Sequence, residues 1–155
     1  MLFLIFQLGN DRYALEADRV IEVLPLVELK SLPHAPRGVA GIFNLRGRPV
    51  PAVDLSELSF GTPSRERLTT RIIVIEHTDG SGQSRPLGLI AEQVTQTVRK
   101  ETEDFIDSGV SLSSAPYLGP VFMDHKGPVR WLYAQRLISE PIRELLSAGL
   151  PVSCP

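Results

Sequence analysis

Short apolar runs and stretches of two-residue apolar/polar alternation, both of β-strand length, recur along this 155-residue chain between turn signals. Leu2 to Leu8 is an apolar run of strand length. Gly9-Asn10-Asp11 then supplies a turn, and Arg12 to Leu15 returns as its partner strand. After a polar link from Glu16 to Asp18, Arg19 to Leu24 resumes as strand. Val20, Glu22 and Leu24 fall on one face of it, Ile21 and Val23 on the other. Pro33 and Pro36 stop a helix from forming, although Pro36 suits the start of one short turn toward Ala40.

The segment from Leu32 to Leu55 carries four prolines, three glycines and three arginines within an otherwise strand-like pattern. Ile42 to Leu45 and Val50 to Leu55 flank Arg46-Gly47-Arg48 as a hairpin, with Gly47 free to take a positive φ. Pro49 and Pro51 cannot donate ladder hydrogen bonds, which predicts an edge position for the second strand. Ser56 to Thr70 is polar and predicts a flexible connection. Arg71 to Ile75 is a β-branched strand. Asp79 to Gly82 is a loop, followed by strands over Pro86 to Ala91 and Val94 to Val98. Lys100 to Pro116 predicts a second connection, and Tyr117 to Met123 and Val129 to Ala134 flank a hairpin turn at Asp124 to Gly127. One helix is expected at the end, capped by Ser139, started by Pro141, with Ile142, Leu145 and Leu146 on one face, and stopped by Gly149 and Pro151. The predicted class is all-β, with about nine or ten short strands and turns every ~8–12 residues.

Composition narrows the picture without identifying it. Hydrophobic residues at 43% and charged residues at 22% are ordinary for one folded domain, and a net charge of −2 favours no polyanionic partner such as nucleic acid. Cys154 is the single cysteine, so no intramolecular disulfide forms, which suits a reducing cytoplasm. The run Leu2 to Phe6 has no positive leader and is too short for a signal core, and no apolar stretch nears the ~20 residues of a membrane span. The chain is expected to be cytoplasmic, with no direct membrane insertion.

Candidate chemistry is sparse. His34, His77 and His125 sit in loops or at strand ends with no second ligand at metal spacing, so no metal site is expected. Ser111, Ser113 and Ser114 and the loop Gly80-Ser81-Gly82 lack the elbow, base or following helix that a nucleophile or phosphate cradle needs. No catalytic residue and no cofactor is predicted. Trp131 and Tyr133 share a strand face opposite Arg130, which fits core packing better than a nucleic-acid surface. Glu22 and Arg46 remain. A carboxylate within an apolar strand and a guanidinium fork at a hairpin tip could pair, yet spacing alone favours two separate, solvated charges.

Taken in order, Phe3-Leu-Ile-Phe-Gln-Leu-Gly9, Tyr13-Ala-Leu15, Val20-Ile-Glu-Val23, Leu32-Pro-His-Ala-Pro36, Gly41-Ile-Phe-Asn-Leu-Arg-Gly47 and Val50-Pro-Ala-Val-Asp-Leu55 resemble CheW-like domains. These are bacterial chemosensory coupling proteins. The likeness continues through Arg71 to Ile75, Gly88 to Val94 and Tyr117-Leu-Gly119, covering nearly the whole chain as one domain, 1–155. Glu92 stands where that family often has aspartate, and Trp131 where an aliphatic residue is usual.

The resemblance implies two fused five-stranded SH3-like β-barrels sharing a hydrophobic core, with no enzymatic activity. It implies binding to the cytoplasmic tip of a methyl-accepting chemoreceptor and to the regulatory domain of a CheA-type histidine kinase. It further implies recruitment to membrane receptor arrays. The positions it marks for receptor binding are Val20, Glu22, Asn44, Arg46 and Gly47, with Glu22 and Arg46 close together and Val20 lining the same groove. Kinase-contact residues are left unassigned. A coupling protein of a non-motility, cyclic-di-GMP-controlling pathway, an SH3-like module for proline-rich peptides, and a small β-barrel enzyme or ligand carrier are the alternatives.

Overall fold

In the computed structural model the described residues are 1–78, 82–107, 109, 115–138 and 142–143. β1 (Leu2–Leu8) and β2 (Asp11–Glu16) form the first antiparallel hairpin. β3 (Val20–Pro25), β4 (Val39–Leu45) and β5 (Arg48–Asp54) follow, then a short helix α1 (Leu55–Phe60). β6 (Arg71–Thr78), the 16-residue β7 (Ser84–Arg99), β8 (Leu118–Asp124) and β9 (Gly127–Leu132) complete the sheet. The strands run in the order β3-β6-β7-β1-β2-β9-β8, with β5 joined to β7 and β4 to β5.

β7 is long enough to serve two five-stranded halves. Its residues Ser84–Ala91 pair with β6, and Gly88–Ile90 lie parallel to β5. Its residues from Glu92 to Arg99 pair with β1 instead. One half is therefore β3, β6, β7, β5 and β4; the other is β7, β1, β2, β9 and β8. Each half curls back on itself: Lys30 bridges to Ile42 of β4, and Ile106 bridges to Val121 of β8.

Both faces of the shared strands are buried, which explains their near-continuous apolar sequence. On β6, Ile72 and Val74 point into the first half with Phe43, Val50, Ala52 and Ile90. Ile73 and Ile75 point the other way, into the largest cluster, which lies on Phe6, Leu8, Leu15, Val53, Leu55 and Leu89. β1 divides likewise, sending Phe3 and Ile5 to Ala14, Phe122, Val129 and Trp131. The all-β expectation holds. Trp131 is a core residue, its ring centroid 5.0 Å from Phe3 and 4.8 Å from Phe105.

Three local expectations change. Ser56 to Thr70 opens with a helix, because Asp54 caps it and Gly61 ends it at φ 78. The strands expected separately at Pro86 to Ala91 and Val94 to Val98 are one strand, kinked at Gln93, whose φ is 51. β5 is no edge: it lies between β4 and β7. In a hairpin with a two-residue loop the pairs alternate, so Asn44–Pro49 and Ile42–Pro51 fall at positions where no donor faces β4. Pairing with β7 begins only at Ala52, which leaves both prolines compatible with an interior strand. The connection Lys100 to Pro116 carries a short 3-10 turn over Thr102–Asp104.

Of the expected terminal helix, Ile142 and Arg143 are described and helical, with Ile142 buried in the largest cluster. Ser139, Pro141, Leu145, Leu146, Gly149, Pro151 and Cys154 lie outside the described residues, as do Ser111 to Ser114 and Asp79 to Ser81. No helix among the described residues is long and apolar enough to cross a membrane.

Two buried carboxylates tie the segment after α1 back to the sheet. Asp54, 5% exposed, accepts from Ser56 N at 3.0 Å and Glu57 N at 3.3 Å, then from Ser64 N at 2.9 Å and Ser64 Oγ at 2.7 Å. Glu92, 2% exposed, accepts from Arg65 Nε at 2.9 Å. Asp54→Ala strips the cap and leaves the Ser64 donors without their acceptor. It is expected to lower unfolding free energy by about 2 kcal/mol, read by urea denaturation, with Asp54→Asn intermediate. An unchanged midpoint for Asp54→Ala would show that the segment does not depend on this carboxylate.

Candidate functional site

The β4–β5 hairpin turns through two residues, Arg46 and Gly47, with Leu45 opposite Arg48. Both turn residues have positive φ, 48° and 88°, the signature of the type I′ turn that matches strand twist. Gly47 meets this requirement at no steric cost, whereas Arg46 adopts a backbone region that L side chains rarely take. Asn44 Oδ1 accepts from Gly47 N at 2.7 Å across the turn.

β3 and β4 are the two ends of the first half's strand path, and curling brings them together. The hairpin tip therefore reaches β3 despite 24 residues of separation. Arg46 Nη1 donates to Glu22 Oε2 at 3.2 Å, and Nη2 donates to Glu22 Oε1, a bidentate fork. Glu22 has 26% of its side chain exposed and Arg46 70%, so the pair is a solvent-facing feature across the seam. An exposed pair of this kind adds little to stability. It does present a fixed, planar, charged shape.

The hydrogen bond from Arg46 holds the Glu22 carboxyl below its ordinary 4.5; slight desolvation opposes this and the guanidinium charge adds to it. Arg46 is pushed up by the same contacts. Because folding lowers the Glu22 value, the pair's contribution is complete above the unfolded carboxylate's pKa. It is lost as pH falls through the lower folded value. A side-chain NMR titration should place the Glu22 midpoint below 4.5, with Arg46→Ala moving it up toward that value. A wild-type midpoint at or above 4.5 would contradict the pairing.

Four of the five expected site residues, Glu22, Asn44, Arg46 and Gly47, thus converge at the tip. Val20 does not point with them: it is half-buried against the largest core cluster, and an extra residue in β3 separates its register from that of Glu22. Sequence reasoning did not single out Ile21 and Val23, which are 50% and 38% exposed on the opposite face of β3. Their strand alternation with half-buried Glu22 and Leu24 was the available signal. It also missed a groove of about 730 Å³ beside the tip, lined by Leu29, Lys30, Ile42, Asn44, Gly47 and Pro49 among others. Gly41 keeps one wall close, since a Cβ there would lie 2.4 Å from the Lys30 carbonyl oxygen.

The described residues contain no cluster of three or more His, Cys, Asp or Glu able to hold a metal ion. Phe60 is the one aromatic among the exposed large hydrophobics of the described residues.

Comparison with known proteins identifies the family. The family model described as the CheW-like domain matches residues 2–141. The chain belongs to the CheW-like domain family. This CheW-like chain is 28% identical over 103 residues to the chemotaxis protein CheW of Helicobacter pylori, covering 66% of this chain and 59% of that protein. It is 27% identical over 99 residues to the chemotaxis protein CheW of Rhizobium meliloti, covering 64% and 61%. The CheW-like chain thus spans about three fifths of the length of these curated relatives. In fold it is similar to the scaffolding protein TtCheW from Thermoanaerobacter tengcongensis, with a TM-score of 0.75, 23% identity and coverage of 89% and 87% of the two chains.

Proposed function

We propose that this chain is a non-catalytic adaptor that couples chemoreceptor state to a CheA-type histidine kinase. The Glu22–Arg46 face and the adjoining groove receive the helical hairpin tip of a methyl-accepting chemoreceptor. Other surfaces of the two halves engage the kinase's regulatory domain. The observation that carries the reading is the bidentate pair itself: a solvent-facing fork set across the seam between β3 and the β4–β5 hairpin. Family membership and the names of the relatives, chemotaxis proteins CheW, support the same reading.

The mechanism requires no bond making. A rigid double roll holds a receptor helix pair at one face and the kinase at another, so a receptor shift alters kinase geometry. Single contacts of this kind are modest and gain strength through many linked copies. The test is reconstitution of kinase autophosphorylation with a receptor signalling fragment. The kinase should respond to the fragment only when this chain is added. Equal kinase rates with and without the chain, across a saturating range, would sink the proposal.

A further inference from the structure

We propose that Asn44 is a positioning residue: its side-chain carbonyl, by accepting from Gly47 N–H, holds the turn that aims Arg46 at Glu22. The inference deepens the receptor-site reading above and rests on it for the partner's identity, a helical receptor tip.

Three observations converge. A two-residue I′ turn favours Asn or Gly at its first central position, yet Arg46 stands there at φ 48. A local rule broken at an exposed position marks a site where the side chain matters more than the turn. The hairpin also has few other means to enforce that conformation. A Cβ placed on Gly47 meets nothing within 4 Å, so packing does not confine the tip. Beyond the closing pair Leu45–Arg48, the turn is held by the 2.7 Å hydrogen bond from Gly47 N to Asn44 Oδ1, made one residue outside it. With the turn set, both guanidinium Nη atoms face both Glu22 oxygens. Without it, Arg46 relaxes toward negative φ and the fork no longer meets its partner squarely.

Asn44 therefore acts through Arg46. Its loss should matter where the arginine is present and be silent where the arginine is absent, a coupling that a plain fold-stabilising residue does not show. The experiment compares wild type, Asn44→Ala, Asn44→Asp, Arg46→Ala and the Asn44→Ala/Arg46→Ala double variant, all as the full chain. Two readouts need no partner. In Asn44→Ala the Gly47 amide should exchange about 5-fold faster or more, the effect of one lost hydrogen bond, and Asn44→Asp should restore it. In Asn44→Ala the Glu22 carboxyl titration should also move toward its position in Arg46→Ala. An unchanged Glu22 titration with the Arg46 side chain intact would overturn the positioning role, even if the thermal midpoint fell. The third readout is binding of a chemoreceptor-tip fragment. It should weaken about 5-fold in Asn44→Ala and no further in the double variant than in Arg46→Ala. Equal extra weakening in the double variant would show that Asn44 acts independently of Arg46 and would also overturn the role. Undiminished binding by Arg46→Ala would remove the receptor-site reading alone, because the exchange and titration readouts decide the positioning role without it.

Discussion

Gly88→Ala lowers unfolding free energy by about 1–3 kcal/mol, although it adds a single methyl group in a strand that alanine otherwise tolerates. Gly88 lies in β7 where β6 and β5 flank it, opposite Val74 and Ala52. A Cβ there would sit 2.6 Å from Phe43 Cε1 and 2.8 Å from Ile72 Cγ2. Both neighbours are core residues, 2% and 0% exposed, so neither can swing into solvent to make room. The cost is steric rather than conformational, since Gly88 is not among the glycines with positive φ. At this chain length each kcal/mol corresponds to roughly 2–4 °C in the melting midpoint. Phe43→Leu should recover part of the loss in the Gly88→Ala background while destabilising the wild type. An unchanged midpoint for Gly88→Ala would mean that the first half is packed less tightly than these contacts require.

Arg46→Glu should abolish measurable binding to a receptor-tip fragment, a weakening of about 10-fold or more, while the melting midpoint barely moves. The substitution places a carboxylate beside Glu22 on an exposed surface, so the fold tolerates the repulsion through solvent screening. The surface presented to a partner changes sign at its fixed point. The reversed pair, Glu22→Arg with Arg46→Glu, restores the ion pair but not its orientation on the surface. It should leave the melting midpoint unchanged and recover binding only in part. Unfolding of Arg46→Glu would make Arg46 a structural residue and end its assignment to the docking site.

Much of the architecture was legible because the shared strands bury both faces. Leu2 to Leu8 and Arg71 to Ile75 are nearly unbroken apolar runs, and the structure uses each run twice, once per core. The short helix at Leu55–Phe60 has local signals in the sequence: Asp54 as cap, Glu57 three residues on, and Gly61 as stop. Six residues are too few to show a helical period, and Pro63 beyond them suggested irregular chain. Glu92-Gln93 read as a break because two polar residues interrupt the apolar pattern. Arg65 from the segment after α1 satisfies the buried Glu92 instead, and Gln93 absorbs the kink.

At the site, residue types pointed to a fork and a carboxylate but spacing could not join them. Glu22 and Arg46 meet because curling closes the path from β3 to β4, a consequence of long-range pairing through β6, β7 and β5. Only the family resemblance placed them together beforehand. Val20 was expected to line the same groove, yet β3 carries an extra residue after it and its side chain packs on the core. The Asn44 hydrogen bond is a local feature that the Asn-x-x-Gly spacing permits and that only the turn geometry shows to be made.

The most direct measurement is co-purification of the full chain with a CheA-type kinase regulatory domain and a chemoreceptor signalling fragment, alongside the Arg46→Glu variant. Wild type should recover both, and the variant should keep the kinase domain and lose the receptor fragment. Recovery of neither by wild type, or equal recovery of the receptor fragment by the variant, would contradict the coupling role.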